Sequence, residues 1–420
     1  MNVELVSIGD ELLLGYTIDT NATFFARAAA ELGIRVVRRS TVGDTAGEIA
    51  DAVREALDRT GGVITSGGLG PTADDLTKAS IAELFDRGLA LDEGIWEALQ
   101  ARWKARKWPG EIPLANRTQA LVPVGATVLT NRHGSAPGIW LEDPEGRWVA
   151  MLPGVPREFR GMTTDELLPR LTARMAATGA SGLVVRSRTL RTTGIAESAI
   201  ADALGKLSKD PMGVALAFLP GWEGVDLRLT VTDLPAEVAD AQLEIAANAL
   251  RARVGPWIYG EDETDLAGLV LDALRAMHRR AAVAESCTGG MLGMRLSAIP
   301  GSSDVFAGGI ISYDNEVKVR HLGVRESTLR AHGAVSEETA REMATGARTR
   351  LGVDVGIGVT GIAGPSGGTP EKPVGTVWVA VDVLGNVQAS RISSVGDRAE
   401  VRQRGTQAAL ALLLRALETR

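Results

Sequence analysis

A serine near the start of the last third of the chain stands where a nucleophile could be held. Ser286 follows the short apolar run 281–284, and Thr-Gly-Gly at 288–290 then precedes a stretch, 291–296, with the composition of a helix start. A strand, a glycine turn and a helix N-terminus in succession point unpaired backbone N–H groups at the turn. A hydroxyl there could attack a carbonyl carbon while these groups bind the developing oxyanion. The alternative is that Ser286 or Thr288 only caps the helix.

The base for such a serine is predicted to be Lys318, at the end of the segment Tyr313-Asp314-Asn315-Glu316-Val317-Lys318. The basic residues of this chain are mostly arginine, which cannot act as a base, whereas burial lowers the pKa of a lysine. Tyr313 would relay a proton or hold the leaving group. Two alternatives stay open: Lys318 is a solvated helix residue, and Cys287 is packed as a small hydrophobic residue.

A second place for chemistry is the stretch 67–75, which reads Gly-Gly-Leu-Gly-Pro-Thr-Ala-Asp-Asp. Small residues let the backbone approach a phosphate, and the helix that follows offers its positive end. Asp74 and Asp75 would repel phosphate unless a divalent cation lies between them, so the combination suggests metal-assisted phosphate chemistry. They are equally explained as favourable acids in a first helical turn. The stretch also lacks the Gly-Lys-Ser/Thr ending of a P-loop.

Two other glycine motifs are not interpreted as nucleotide or RNA sites. Gly-x-Gly-x-x-Gly at 356–361 has two glycines inside a predicted strand and no helix after it, which argues against a dinucleotide fingerprint. The loop 361–368 could still close over a small polar ligand. Gly-Trp-Glu-Gly at 221–224 fits the GXXG of RNA-binding domains but joins two predicted strands, so a hairpin turn is expected. The four histidines are scattered and have no ligand spacing.

The composition predicts a folded α/β protein with more than one domain. The 420 residues exceed one ordinary domain, and 45% hydrophobic residues with 49 glycines fit a folded chain with many tight turns. A net charge of −7 argues against general nucleic-acid binding. The single cysteine excludes a disulfide framework and a cysteine-based zinc site. With no signal-peptide pattern and no apolar run of about 18 residues, we expect a cytoplasmic protein without membrane association.

The candidate residues are expected to collect at the ends of strands. Up to about residue 175, strands alternate with helices: strands at 3–8, 34–39, 62–66 and 148–152, and helices at 21–32 and 46–57. Such alternation predicts a largely parallel sheet with helices on both faces. Ligands of such sheets bind beyond the carboxyl ends of the strands. Gly-Asp-Glu at 9–11, the stretch 67–75 and the segment 153–158 all stand at such ends.

The remainder of the chain divides in two. Residues 177–256 are predicted as a small βαββα unit of KH-like or ferredoxin-like shape: strand 183–191, helix 195–207, strands 214–218 and 225–232, helix 235–254. The last part has predicted helices at 263–278, 315–322, 336–351 and 397–417, and strands at 281–284, 305–313, 353–360, 374–381 and 388–394. We therefore predict domains at 1–176, 177–256 and 257–420.

Together these segments resemble the competence-damage inducible protein family, CinA, along essentially the whole chain. The motifs of the third domain are Ala284-Glu285-Ser286-Cys287-Thr288-Gly289-Gly290, Tyr313 to Lys318, Gly333-Ala334-Val335-Ser336 and Thr360-Gly361-Ile362-Ala363-Gly364-Pro365. They are similar to the family's PncC-like nicotinamide mononucleotide deamidase domain. The first domain, through Gly9-Asp10-Glu11-Leu12-Leu13, 67–75 and 153–158, resembles the molybdopterin-binding MoaB/MogA-like fold.

The resemblance implies an N-terminal three-layer α/β/α domain, a small KH-like α+β middle domain and a C-terminal α/β amidase domain. In the last, it implies that Ser286 attacks the nicotinamide carboxamide carbon with Lys318 as base, assisted by Tyr313 and Thr360. N–H groups near 288–290 would hold the oxyanion. The implied substrate-binding residues are Thr288, Gly289, Gly290, Gly361, Gly364, Arg398 and Arg402, the two arginines as phosphate ligands. No cofactor is expected there.

For the first domain, the resemblance implies a metal-dependent ADP-ribose pyrophosphatase. A divalent ion would lie near Asp44, Asp75 and Glu158. The implied phosphate-binding residues are Gly9, Asp10, Gly67, Gly68, Gly70, Thr72 and Asp74. The predicted protein is thus a bifunctional hydrolase of pyridine-nucleotide salvage, expected as a homodimer. Two other functions stay open: a non-catalytic partner of competence or recombination proteins, and a pterin-binding protein centred on 67–75.

Overall fold

The computed structural model describes residues 1–177 and 182–418. Packing divides the chain into two compact units: Met1–Arg186 with Val231–Ala241, and Ser187–Thr230 with Gln242–Arg420. The predicted domain boundaries remain a prediction, and residues 178–181 and 419–420, which they include, lie outside the described residues. None of the helices in the described part of the chain combines the length and apolarity needed to cross a membrane.

Residues 1–177 contain eight short or medium strands. They are β1 (Asn2–Ile8), β2 (Arg35–Val42), β3 (Gly62–Ser66), β4 (Leu89–Leu91), β5 (Leu121–Pro123), β6 (Thr127–Leu129), β7 (Gly138–Glu142) and β8 (Trp148–Leu152). Six form one sheet in the order β2-β1-β3-β8-β7-β6, and β4 pairs with β5. Strands β2, β1, β3 and β8 are parallel. Their carboxyl ends therefore lie at one edge, as the alternating pattern predicts.

Helices cover both faces of this sheet. The α-helices of residues 1–177 are α1 (Asp10–Leu13), α2 (Thr20–Ala30), α3 (Ala46–Thr60), α4 (Thr77–Leu84), α5 (Glu93–Ala105), α6 (Pro156–Met162) and α7 (Leu168–Ala177), of which α1 has no buried residue. The side chains of β1 alternate between two apolar cores: Val3 and Leu5 pack with Phe25 of α2, and Val6 and Ile8 pack with Val53 of α3. The predicted three-layer α/β/α domain is confirmed. Helix α3 runs three residues beyond its prediction, to the left-handed Gly61.

The middle segment has the five elements of the predicted βαββα unit and one further strand. The predicted elements are β9 (Leu183–Thr192), α8 (Glu197–Leu204), β10 (Ala215–Pro220), β11 (Val225–Pro235) and α9 (Ala236–Val254), and the strand that was not predicted is β12 (Ile258–Glu261). Strands β10 and β11 pair antiparallel up to Pro220 and Val225, and Gly221 N donates a 2.8 Å hydrogen bond to Gly224 O. The prediction that 221–224 is a hairpin turn is confirmed. Helix α8 ends earlier than predicted because Gly205 has a positive φ of 56°.

The last part of the chain carries the second large sheet. Its elements are α10 (Leu266–Ala276), β13 (Ala281–Glu285), α11 (Met291–Ser297), β14 (Phe306–Ile311), α12 (Asn315–Leu322), α13 (Glu326–His332), α14 (Glu337–Arg350), β15 (Val355–Gly361), β16 (Thr376–Val383), β17 (Asn386–Ser393) and α15 (Arg398–Glu418). The strand order is β14-β13-β15-β16-β17. Strands β14, β13 and β15 are parallel, and β16 and β17 are antiparallel. All of these elements except α13 are predicted from the sequence.

The Gly-x-Gly-x-x-Gly motif lies within β15, and its first two glycines are packing positions. A Cβ at Gly356 would lie 2.0 Å from Ala344 O, and one at Gly358 would lie 2.4 Å from Ala340 O. Helix α14 therefore packs directly on the backbone of β15, which only residues without a side chain allow. The motif is not followed by a helix, so the argument against a dinucleotide fingerprint is confirmed.

Candidate active site

Three parallel strands of the second unit end at the same edge of their sheet. Ser286 directly follows β13, Tyr313 follows β14, and Thr360 is the penultimate residue of β15. Ser286 N donates a 2.9 Å hydrogen bond to Val359 O, so strand pairing continues into the serine turn. These three residues and Lys318 line one cavity of about 280 Å³. The fold thus brings together the four residues predicted to be catalytic.

Lys318 lies in α12, which starts just after β14, and its side chain is only 1% exposed. Its Nζ donates hydrogen bonds to Ser312 O at 2.8 Å and to Tyr313 O at 3.2 Å. Burial lowers the pKa of Lys318 from its usual value, and the charge of Asp314 opposes that effect only in part. The alternative of a solvated helix residue is therefore wrong. A buried lysine with a lowered pKa is suited to act as a base.

Neither Ser286 nor Thr288 caps α11. The residue at the N-cap is Gly290, with φ 97°, and no side-chain hydroxyl bonds the helix start. The Thr288 hydroxyl is buried and has no hydrogen-bond partner among the described residues. Ser286 instead lines the cavity while remaining 8% exposed. The capping alternative is wrong for both residues.

The start of α11 is held by an acidic residue that the sequence analysis did not single out. The carboxylate of Glu285, 1% exposed, accepts hydrogen bonds from the N–H groups of Gly290 at 2.9 Å, Leu292 at 3.1 Å and Gly293 at 2.8 Å. Glu285 is on the same face of β13 as Val283, which packs in the core with α11. An acid at the end of an apolar strand, just before a glycine turn, is the signal that could have identified it.

This arrangement changes the set of available oxyanion donors. The N–H of Gly290 is bonded to Glu285, and that of Gly289 donates to Ser286 O at 3.1 Å. Gly289 and Gly290 are therefore wrong as predicted donors to an oxyanion. The N–H groups of Cys287 and Thr288 make no hydrogen bond with the described residues. Of these two residues only Cys287 lines the cavity, whereas Thr288 is fully buried and is not part of its lining. The N–H of Cys287, next to Ser286, is therefore the donor that the structure leaves available at the cavity.

The two predicted phosphate ligands occupy different positions. Arg398 lines the cavity, and it donates hydrogen bonds to Gly364 O at 2.7 Å and to the Tyr313 hydroxyl at 2.8 Å. Arg402 is not part of the cavity lining, and its Nη2 donates to Thr288 O at 2.8 Å. Arg398 can therefore meet a ligand directly, whereas Arg402 supports the serine turn from behind.

Thr360 and Cys287 are further residues of the cavity, and both are buried. The hydroxyl of Thr360, fully buried, donates a 2.7 Å hydrogen bond to Ala334 O. Gly361 and Gly364 line the cavity beside it. Burial raises the pKa of the Cys287 thiol to about 12, so the thiol stays protonated at neutral pH. Cys287 is therefore packed as a small hydrophobic residue, which is the alternative left open by the sequence. It also lines the cavity.

The first unit has its own strand-end cavity, of about 460 Å³. Eight of the residues predicted for phosphate or metal binding line it: Gly9, Asp44, Gly67, Gly68, Gly70, Asp74, Asp75 and Glu158. Two others, Asp10 and Thr72, are not in its lining. Asp10 N instead donates a 2.9 Å hydrogen bond to Asp44 Oδ2. The sheet edge that is predicted to bind a ligand therefore borders a cavity in the structure.

The glycine loop of this cavity depends on two glycines and one aspartate. Gly67 and Gly68 have positive φ values of 117° and 68°, which L side chains rarely adopt. Asp75 accepts hydrogen bonds from Gly70 N at 2.7 Å, Thr72 N at 2.8 Å and the Thr72 hydroxyl at 2.5 Å. The carboxylate of Asp75 therefore fixes the loop. Neighbouring Asp74 is exposed.

The predicted metal centre does not form in this structure. Within residues 1–177 and 182–418, no three His, Cys, Asp or Glu side chains lie close enough together to hold a metal ion. Asp75 is occupied by the glycine loop, and Glu158 Oε2 accepts a 2.5 Å hydrogen bond from Asn131. Asp44, Asp75 and Glu158 thus do not fit a three-carboxylate site, and no chemical step is derived through a metal here.

Asn21 is a cavity residue that the sequence analysis missed. Its Nδ2 donates to the Ser66 hydroxyl at 2.9 Å and to Gly154 O at 2.7 Å, which joins the ends of β3 and β8. Its Oδ1 is buried and unpaired among the described residues. A polar residue on the otherwise apolar face of α2 is the signal that could have identified it.

The fold defines an α/β protein with two compact units, each with a cavity at the carboxyl ends of its parallel strands. Residues 4–173 match the family described as "Probable molybdopterin binding domain", residues 187–260 match "Damage-inducible protein CinA KH domain", and residues 263–417 match "CinA C-terminal domain". The chain belongs to the CinA family.

Full-length relatives and a solved structure are similar to this chain. A CinA-like protein of Gemmatimonas aurantiaca is 60% identical over 416 residues, which cover 99% of this chain and 96% of the relative. A CinA-like protein of Chlorobaculum tepidum is 40% identical over 423 residues, which cover 99% and 98%. The crystal structure of competence damage-inducible protein A from Klebsiella pneumoniae is 38% identical and covers 36% of this chain and 95% of that one, with a TM-score of 0.36.

Proposed function

We propose that the second unit is a serine–lysine amidase that hydrolyses nicotinamide mononucleotide to nicotinate mononucleotide and ammonia, without a metal. The observation that carries the proposal is the shared cavity of Ser286 and the buried Lys318. The N–H of Cys287, which lines the same cavity next to that serine, is unpaired among the described residues. A nucleophile, a base with a lowered pKa and an oxyanion donor are the parts that acyl transfer requires.

The reaction would proceed through an acyl-enzyme. Neutral Lys318 takes the proton of the Ser286 hydroxyl as the serine oxygen bonds to the carboxamide carbon, and the N–H of Cys287 donates to the oxyanion. The C–N bond then breaks, and the proton on Lys318 passes to the leaving nitrogen, which departs as ammonia. Water, deprotonated by Lys318, hydrolyses the ester and restores Ser286. No hydrogen bond joins Lys318 to Ser286 in this conformation, and such bonds commonly tighten when substrate binds.

The test is ammonia release from nicotinamide mononucleotide in the presence of a chelator. We expect turnover by the wild type and its loss, by about 1,000-fold or more, in Ser286→Ala and Lys318→Ala. Lys372→Ala is the matched control, since Lys372 Nζ binds His332 O outside the cavity. A folded wild type that releases no ammonia would contradict the proposal. Turnover that is lost in Ser286→Ala also excludes a purely non-catalytic role as a competence or recombination partner.

We infer a second activity for the first unit, the hydrolysis of ADP-ribose to AMP and ribose 5-phosphate. One observation favours it: Gly68 and Leu69 line the cavity, and their N–H groups make no hydrogen bond within the described chain. Backbone N–H groups in a glycine loop suit a pyrophosphate. The family resemblance implies a dependence on a divalent ion, although Asp44, Asp75 and Glu158 offer no three-carboxylate site among the described residues. Adding and removing Mg²⁺ or Mn²⁺ tests this dependence.

A glycine substitution tests the site of this second activity. A Cβ at Gly68 would lie 2.0 Å from the Thr77 hydroxyl, so Gly68→Ala should abolish AMP release. Gly88→Ala is the control, because nothing lies within 4 Å of a Cβ there. If Gly68→Ala and Gly88→Ala release AMP at the same rate, the reaction does not take place at the glycine loop. A pterin-binding role predicts instead that molybdopterin binds wild type and not Gly68→Ala.

A further inference from the structure

We propose that the hairpin turn 221–224 of the middle segment is a positioning element for the serine turn. It acts through Arg295 of α11, the helix whose first residue, Met291, lies five positions after Ser286. The proposal rests on the proposed deamidase for its kinetic readout, and it has a second readout that does not depend on that activity. It gives a role to a motif that neither proposed reaction uses.

Arg295 is the centre of a buried contact between the two elements. Its side chain is 9% exposed, and its Nη2 lies 3.2 Å from Glu223 Oε1 and 2.8 Å from Asp265 Oδ1. Its Nη1 donates a 2.6 Å hydrogen bond to Gln407 Oε1 of α15. The guanidinium also lies over the ring of Trp222, 5.1 Å from the centroid. Two consecutive residues of the hairpin turn therefore bind one arginine of α11.

The turn itself is fixed on its other side. The second carboxylate oxygen of Glu223 accepts a hydrogen bond from Arg191 of β9. Arg191 also binds Asp226 Oδ1 at 3.3 Å and Thr264 O at 3.1 Å. Glu223 thus joins two arginines, one of the middle segment and one of α11. A carboxylate with both oxygens engaged holds its partners in a defined geometry.

Helix α11 is consequently anchored at both ends. Glu285 binds the N–H groups at its start, and Arg295 in its second turn is held by the hairpin. Without the hairpin contacts, Arg295 is held only by Asp265 and Gln407. The helix can then shift about its start, and the serine turn with the N–H of Cys287 would move. A misplacement of about 1 Å from a change far from the reacting atoms can cost about 100-fold in rate.

The test compares turn variants of the full-length protein. In Trp222→Ala and Glu223→Gln, we expect kcat for nicotinamide mononucleotide to fall about tenfold to 100-fold while KM stays within about twofold. Trp222→Phe keeps a ring over Arg295 and should restore kcat. The matched control is Glu244→Gln, because Glu244 also joins two arginines of the middle segment, Arg188 and Arg251, but does not contact α11.

The second readout is the alkylation rate of Cys287, the only cysteine of the chain and 5% exposed. Iodoacetamide should react several-fold faster with Trp222→Ala and Glu223→Gln than with wild type or Glu244→Gln. Faster alkylation in the turn variants of a protein that releases no ammonia would support the positioning role and overturn the deamidase. An active protein in which both turn variants keep the wild-type kcat and alkylation rate would overturn the positioning role alone.

Discussion

The hydroxyl of Tyr313 accepts a 2.8 Å hydrogen bond from Nη2 of Arg398, although 85 positions separate the two residues. Tyr313 follows β14, and Arg398 is the first residue of α15, so the bond joins two parts of the cavity lining. Nη1 of Arg398 is held by Gly364 O at 2.7 Å. A guanidinium carries five N–H donors, so Arg398 keeps donors for a phosphate while its position is set by Tyr313 and Gly364.

The first prediction separates the two arginines. Arg398→Ala should raise KM for nicotinamide mononucleotide about tenfold or more, because a charge-assisted contact to phosphate is lost. For nicotinamide riboside, which has no phosphate, the KM of the same variant should stay close to that of the wild type. Arg402→Ala should instead lower kcat for both substrates, since Arg402 holds the carbonyl of Thr288. Steady-state kinetics with both substrates test this. Equal KM effects of the two variants would contradict the assignment.

The second prediction concerns pH. Burial lowers the pKa of Lys318, and only the neutral amine can accept the serine proton. kcat/KM should therefore rise with pH and level off at a pKa clearly below the usual lysine value of about 10.4. The profile is measured from initial rates of ammonia release between pH 6 and pH 10, with Lys372→Ala as control. A profile that falls with rising pH across this range would exclude Lys318 as the base.

The third prediction concerns the acid at the start of α11. Glu285→Gln keeps the shape of the side chain but places an amide N–H₂ against N–H groups of the helix. The loss of charge-assisted hydrogen bonds at a 1% exposed site should cost about 2–5 kcal/mol of folding free energy. Deamidation should fall as well, because the serine turn precedes this helix.

Denaturant unfolding of the full chain measures the stability change of Glu285→Gln. The control is Glu337→Gln, which removes a half-exposed first-turn acid of α14 and should change stability by no more than about 0.5 kcal/mol. If Glu285→Gln is as stable and as active as the control, the three hydrogen bonds do not hold the turn.

The fourth prediction uses two adjacent aspartates of the first unit. Asp75→Asn should destabilise the glycine loop by about 1–3 kcal/mol, because Gly70 and Thr72 lose a charged acceptor. Asp74→Asn should leave the stability unchanged, since Asp74 is exposed. Calorimetry of both variants compares their unfolding, and ADP-ribose titration compares their binding. If Asp74→Asn loses more ADP-ribose affinity than Asp75→Asn does, Asp74 is favoured as the acid that faces the ligand.

Much of the fold follows from the sequence because its signals are local. The apolar run at 281–284 is a strand, and Asn315–Leu322 is a helix with the predicted bounds, since Asp314 caps its start and Gly323 ends it. The Ser286 and Lys318 positions follow from the same reasoning, because parallel strands bring their carboxyl ends to one edge. Helix α13 was not predicted, since its seven residues are too few to show a period.

The sequence by itself determined which residues stand at strand ends and therefore share a cavity, because period and turn chemistry are properties of neighbouring residues. Only the tertiary structure decided which hydrogen-bond donors and acceptors are already bound to other residues of the chain. Glu285 takes the N–H of Gly290, and Asp75 is bound to its own loop instead of a metal centre. Arg295 donates a hydrogen bond to Glu223, which lies 72 positions earlier in the chain. Hydrogen-bond partners are selected by three-dimensional packing, so an acid that reads as a ligand or a surface charge in the sequence can be a buried anchor in the folded chain.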